Sequence, residues 1–226
     1  MKGGIMRVLV TAGSTRVMID QVRAITNIFR GRTGTNIAQY FSSQGCEVTL
    51  ITSEPSLVQA LSGIWVERFR TFDELAALME KEITEGDYDV VIHSAAVSDY
   101  QVSQVCVIDE DGKIVPIDAS SKVSSSHDKV YLEMVPTFKI IDKIRDPWGF
   151  SGVLVKFKLQ VQMSDEQLLE IAHKSRQTSD ANIIVANCLE WAYKYAYIIT
   201  EDPEPLHVHR TEIGICLYNF AKKALE

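Results

Sequence analysis

Residues 7–13 read Arg-Val-Leu-Val-Thr-Ala-Gly. The run is strand-length, apolar at successive positions and closed by glycine, the pattern of a strand covered on both faces in a parallel sheet. Residues 31–44 follow with Ile37, Ala38 and Phe41 at helical spacing and a stop at Gln44-Gly45. Further strands are predicted over 47–52 and 65–69. Thr71 then opens a helix over 72–85, with Glu74 three residues on to close a capping box. Residues 88–93 (YDVVIH) form the next strand and run into Ser94-Ala95-Ala96. This alternation predicts a parallel sheet with helices on both faces.

The middle of the chain breaks the rhythm. Residues 105–108 and 113–117 flank Asp111-Gly112, a hairpin-turn dipeptide, and 119–129 (ASSKVSSSHDK) is serine-rich ahead of a strand over 130–134. The stretch 100–134 therefore reads as an antiparallel flap inserted in the α/β core. A helix is predicted over 136–145, with proline in its first turn. Alternation resumes with strands over 152–159, 182–186, 196–199 and 206–209 and helices over 165–177 and 212–224, the former capped by Ser164. The expected fold is α/β: a Rossmann-like open, mostly parallel sheet with the flap, in one domain over 1–226.

Composition sets the class. The 226 residues are 46% hydrophobic and 23% charged, as in a globular chain able to bury a core without staples. No apolar run approaches the roughly 20 residues that span a bilayer, and no signal-peptide cleavage pattern follows the N-terminus. The cysteines at 46, 106, 188 and 216 form no metal-type spacing. A cytoplasmic protein is expected. The net charge of −7 argues against nucleic acid or an anionic membrane as partner. The first 50 residues oppose that balance, with six basic groups against two acids, a local +4 that leaves −11 for the rest.

Ligands of open parallel sheets sit beyond the carboxyl ends of the strands, where strand order reverses. Three exits carry small or polar groups: Thr11–Thr15, Ser94-Ala95-Ala96 and Asn187. Neither GxGxxG nor GxxxxGK[ST] follows the first strand. Instead 17 residues, among them Arg16, Asp20, Arg23 and Asn27, separate Gly13 from the helix start at Gly31-Arg32-Thr33-Gly34. A glycine-rich helix start offers free N–H groups and partial positive charge to an anion, and nearby guanidinium groups add forked donors. His207 and His209 share a strand face without an acidic or thiol partner nearby, so a metal is not expected there. His93 reads as a core histidine, and Trp191, Tyr193, Tyr195 and Tyr197 as packing rather than base-stacking residues.

Taken in order, VLVTAGSTR (8–16), ID-x-VR (19–23), N-x₃-G-x₂-G (27–34), AAVSDY (95–100), Lys122 in SKVSS, KFKL (156–159) and IVAN (184–187) cover nearly the whole chain. The ordered set resembles phosphopantothenate–cysteine ligase, in its monofunctional form because no flavin-dependent decarboxylase module precedes residue 1. The resemblance implies a step of coenzyme A biosynthesis. CTP or ATP, with Mg²⁺ and no flavin, activates the carboxylate of 4′-phosphopantothenate as an acyl nucleotidylate and releases pyrophosphate. The amine of L-cysteine then displaces the nucleoside monophosphate, and a separate decarboxylase takes up the product.

The resemblance also implies roles. Asn27 lies at the reacting carboxyl group, and Arg23 reaches the substrate phosphate across a homodimer interface. Gly13, Ser14, Gly31 and Gly34 cradle nucleotide phosphates. Ala95, Ala96 and Asp99 line the crevice for nucleotide and substrate, Lys122 on the flap reaches the triphosphate, and Phe157 and Asn187 flank the base and sugar. The chain departs from the family pattern at Phe29-Arg30, where two serines are usual. An NAD-type oxidoreductase would share the sheet but lacks the glycine fingerprint. A noncatalytic nucleotide-binding regulator has Phe29-Arg30 as its only support.

Overall fold

The computed structural model describes residues 4–58 and 63–226. Lys2, counted in the charge reading above, lies outside the described residues. In chain order the elements are β1 (Arg7–Ala12), β2 (Arg16–Met18), β3 (Ala24–Thr26), α1 (Arg32–Ser43), β4 (Glu47–Thr52), β5 (Trp65–Arg68) and α2 (Phe72–Glu85). Then come β6 (Val90–His93), β7 (Tyr100–Ile108), β8 (Ile114–Ile117), β9 (Tyr131–Pro136) and α3 (Ile140–Lys143). The chain closes with β10 (Val153–Gln160), α4 (Asp165–Thr178), β11 (Ile183–Cys188), β12 (Tyr195–Ile199), β13 (Leu206–His209) and α5 (Ile213–Leu225).

Eight strands form the main sheet in the order β13-β12-β11-β10-β6-β1-β4-β5. The strands from β11 through β5 are parallel, and β12 and β13 add an antiparallel edge. From β1 the chain moves outward to β4 and β5, then returns to place β6 on the other side of β1. Strand order therefore reverses between β1 and β6, which fixes where a crevice opens.

Period-2 alternation assigns the faces. Val8, Val10 and Ala12 of β1 pack with Ile37, Ala38 and Phe41 of α1 and with Leu217 and Ala221 of α5. Leu9 faces the other way, into the cluster of Phe72, Leu75 and Met79 from α2 and Ile140 from α3. Leu168 and Ala172 of α4 cover Ile184 and Ala186 of β11. Phe41 is fully buried and contributes on the order of 2–3 kcal/mol by leaving water. The capping boxes expected of Thr71 with Glu74, and found again for Ser164 with Gln167, fix the starts of α2 and α4.

The flap is a separate three-stranded antiparallel sheet, β8-β7-β9, with Asp111-Gly112 at its hairpin turn. Two local readings need correction. The helix expected over 136–145 is only the turn of α3, because Pro136 still pairs with Tyr100 and Thr137 N donates to Asp99 O at 2.9 Å, keeping the chain extended. The 17 residues between Gly13 and Gly31, to which the sequence reading gives no regular element, contain the β2–β3 hairpin, in which Arg16, Val17 and Met18 pair with Thr26, Ile25 and Ala24.

Candidate active site

The end of β1 and the start of α1 are built around two glycines that admit no side chain. Gly31 precedes α1 with φ +82, and a Cβ there would sit 2.1 Å from Gly13 N and 2.7 Å from Gly13 Cα. Gly34, one turn into the crevice wall, would place a Cβ 2.3 Å from Ser94 Oγ and 2.9 Å from Thr11 O. The helix thus lies against backbone at the sheet's switch point. Its N-terminus carries no side-chain cap and no acidic residue in the first turn, so its free N–H groups are left for an anion.

The β6 exit is held as firmly. Thr11 Oγ1 accepts from Ser94 N at 3.2 Å and Ala95 N at 3.1 Å and meets His93 Nδ1 at 2.9 Å. Ala96 N donates to Gly13 O at 2.8 Å, and Ala96 O accepts from Thr15 N at 3.2 Å and Asn27 Nδ2 at 3.4 Å. His93 is buried, as expected of a core histidine; that burial, with the nearby Lys156 cation, lowers its pKa to about 4 and keeps it neutral at pH 7.

Between these walls lies a crevice of about 620 Å³. It brings together Gly13, Asn27, Gly31, Gly34, Ala95, Ala96, Phe157 and Asn187, all named from sequence, although they come from five separate stretches of chain. Phe157, Leu159 and Tyr193 give it an apolar wall; Arg30, Arg32 and Arg210 give it positive charge. None of these three guanidinium groups pairs with a carboxylate among the described residues.

Four sequence-named residues lie outside that lining. Ser14 sits behind it, buried: its N–H donates to Ser53 Oγ at 3.0 Å, and its hydroxyl meets Thr26 Oγ1 at 3.1 Å. Asp99 is exposed and ion-paired with Lys139. Lys122 is exposed on the flap. Arg23 pairs with Asp20, with Nη2 2.5 Å from Oδ2.

Arg210 and Tyr193 escape the sequence reading of the site. Arg210 donates from Nη2 to Thr33 Oγ1 at 2.9 Å, reaching α1 from the far end of the chain. The signal that could have found it is its place just after β13. That strand runs antiparallel to β12, itself antiparallel to β11, so it leaves the sheet on the same edge as the other exits. Of the aromatic residues beyond β11, Trp191, Tyr195 and Tyr197 pack on one another, with Trp191 and Tyr195 stacked at 4.2 Å, whereas Tyr193, expected to pack with them, is exposed and lines the crevice.

Known proteins share this fold. The model of the DNA/pantothenate metabolism flavoprotein C-terminal domain matches residues 4–195. The coenzyme A biosynthesis bifunctional protein CoaBC of Thermococcus kodakarensis is 39% identical over 189 residues, which cover 81% of this chain and 41% of the relative. The chain thus spans well under two thirds of that relative's length. The crystal structure of the DNA/pantothenate metabolism flavoprotein from Streptococcus pneumoniae superposes with TM-score 0.84 at 30% identity, covering 96% of this chain and 99% of that one. A Cab2 mutant solved in complex with phosphopantothenate-cysteine shares the fold, with TM-score 0.71 at 15% identity over 97% of this chain and 87% of that one.

These findings correct one expectation. The matching family is described as a flavoprotein's, so the reading that no flavin is involved does not stand. The crevice has what a phosphorylated planar group needs, a flavin nucleotide included: uncapped N–H groups at α1 and the wall of Phe157, Leu159 and Tyr193. The magnesium expected with the nucleotide finds no ready ligand set, since no group of three or more His, Cys, Asp or Glu is placed to hold a metal among the described residues. Nor, among them, is any helix long and apolar enough to cross a membrane.

Proposed function

The chain belongs to the DNA/pantothenate metabolism flavoprotein C-terminal domain family, and on that premise we propose that it is a nucleoside-triphosphate-dependent ligase of coenzyme A biosynthesis, joining 4′-phosphopantothenate to L-cysteine. The observation that carries the reading is the crevice, where residues named by the ligase resemblance converge on one uncapped helix start. The name of the Thermococcus kodakarensis relative supports the pathway.

A carboxylate is a poor electrophile because its leaving group would be oxide. In the first half-reaction a carboxylate oxygen of phosphopantothenate attacks the α-phosphorus of CTP or ATP. The bond to the β-phosphate oxygen breaks, and pyrophosphate leaves with that electron pair. In the second, the cysteine amine attacks the acyl carbon, the nucleoside monophosphate departs and the amine proton is lost. Catalysis here is positioning and charge stabilisation. The N–H groups of α1, with Arg30, Arg32 and Arg210, hold phosphates. Asn27 Nδ2 donates to the acyl oxygen as it gains charge, Lys122 reaches the phosphates from the flap, and Phe157 with Asn187 receives base and sugar. A flavin on the same wall would supply redox chemistry. Amide formation changes no oxidation state, so no step above passes through it.

The active form in this reading is a cytoplasmic homodimer. Met18, Val22, Ile25 and Ile28, on and beside the β2–β3 hairpin, are exposed apolar side chains that a second copy would cover, and Arg23 would serve the partner's substrate phosphate. Light scattering is expected to give twice the chain mass of 25.4 kDa. A single chain mass at micromolar concentration would contradict the shared site.

A further inference from the structure

Asp20 is a buried carboxylate that the ligase mechanism does not use. Its Oδ1 accepts from Val22 N at 2.8 Å and Arg23 N at 2.7 Å, and its Oδ2 from Arg23 Nε at 2.9 Å and Nη2 at 2.5 Å. A further donor to Oδ2 comes from 103 residues away, Val123 N of the flap at 3.1 Å. Arg23 Nη2 also donates to Val123 O at 2.8 Å, so one ion pair grips both the N–H and the C=O of a single flap residue. Beside it, Gln21 Nε2 donates to Ser120 O at 2.6 Å, and the Val123 side chain is itself buried. Such pairing specifies register as a strand partner would, since a slip by one residue leaves the buried carboxylate short of a donor. The gripped peptide adjoins exposed Lys122 directly.

We propose that Asp20, with Gln21 and Arg23, is a positioning latch that docks flap residues 120–123 and thereby sets where Lys122 meets the nucleotide phosphates. The second half of this rests on the ligase reading of Lys122. Arg23 Nη1, which makes no hydrogen bond here among the described residues, remains available to a substrate phosphate while the latch is closed.

Asp20→Asn keeps the shape of the side chain but replaces one acceptor with an N–H₂ group facing donors. The gentler Gln21→Ala removes only the Ser120 contact. In the full-length, substrate-free protein, tryptic cleavage after Lys122 is expected to rise on the order of tenfold in Asp20→Asn and by less in Gln21→Ala, as local opening of the flap becomes easier. Cleavage after Lys81 in α2 is expected to stay unchanged, separating flap release from unfolding. In pyrophosphate release, Asp20→Asn is expected to lower kcat about tenfold, with no further loss when added to Lys122→Gln, since two residues acting through one contact are not additive. Unchanged cleavage after Lys122 in both variants would overturn the latch whatever the activity. Additive losses would overturn it as a device acting through Lys122. Full activity of Lys122→Gln by itself would defeat the role given to Lys122, while the cleavage arm still judges the docking.

Discussion

Gly31→Ala is expected to abolish nucleotide binding and to destabilise the fold by about 2–5 kcal/mol, the sum of left-handed backbone strain and forced overpacking. The added methyl would meet Gly13 N at 2.1 Å, Gly13 Cα at 2.7 Å and Ala12 C at 2.9 Å, all of them backbone at the end of β1. None can swing aside as a side chain could, so α1 must lift away from the switch point, taking its free N–H groups with it. Gly45→Ala is the matched control. Gly45 has φ +83 but, among the described residues, nothing within 4 Å of where a methyl would stand, so only the strain, about 1–2 kcal/mol, should appear. Urea unfolding of both variants, with titration of CTP and ATP into each, separates the two effects. Equal stability losses and retained binding in Gly31→Ala would show that the close approach of α1 to β1 is not what forms the site.

Asn27→Ala is expected to lower the rate of pyrophosphate release by about 10²–10³, the usual loss on removing one donor aimed at a developing oxyanion. Little stability should go with it. Asn27 is exposed and its amide makes, among the described residues, one long bond of 3.4 Å to Ala96 O, so the change in stability should stay within about 0.5 kcal/mol. A thermal melt beside the rate measurement distinguishes loss of chemistry from loss of fold. A near-normal rate would remove Asn27 from the reacting centre.

Much of this architecture is legible in local pattern, and what is not has a physical reason. β1 matches its sequence boundaries because a strand covered on both faces carries an unbroken apolar run, here Val8-Leu9-Val10, and β4 matches because Val48, Leu50 and Ile51 are β-formers bounded by the Gly45 turn. The start of α2 follows from Thr71 and Glu74, which satisfy each other's backbone within one turn. The convergence of the strand exits follows from topology, which is why Gly13, Ala95, Ala96 and Asn187 can be named from sequence although they meet only in the folded chain. The β2–β3 hairpin is different. Its strands have three residues each, too short to show a period, and its turn is held by Asp20, whose flap partner Val123 is 103 residues distant. Pro136 reads as a helix start because proline suits a first turn, but Tyr100 across the sheet keeps it extended. Arg210 enters the site through a contact with Thr33, 177 residues away, which no local pattern encodes.

The claim that most needs testing is that the crevice carries out nucleotidyl transfer to phosphopantothenate. Pyrophosphate release, followed with CTP and ATP in parallel, is the direct measurement. With nucleotide alone the protein should release none above background. Adding 4′-phosphopantothenate should start release with at least one of the two nucleotides, and adding L-cysteine should sustain turnover and yield one amide product per pyrophosphate. Release that is independent of phosphopantothenate, or none with either nucleotide when all three substrates are present, would contradict the ligase assignment.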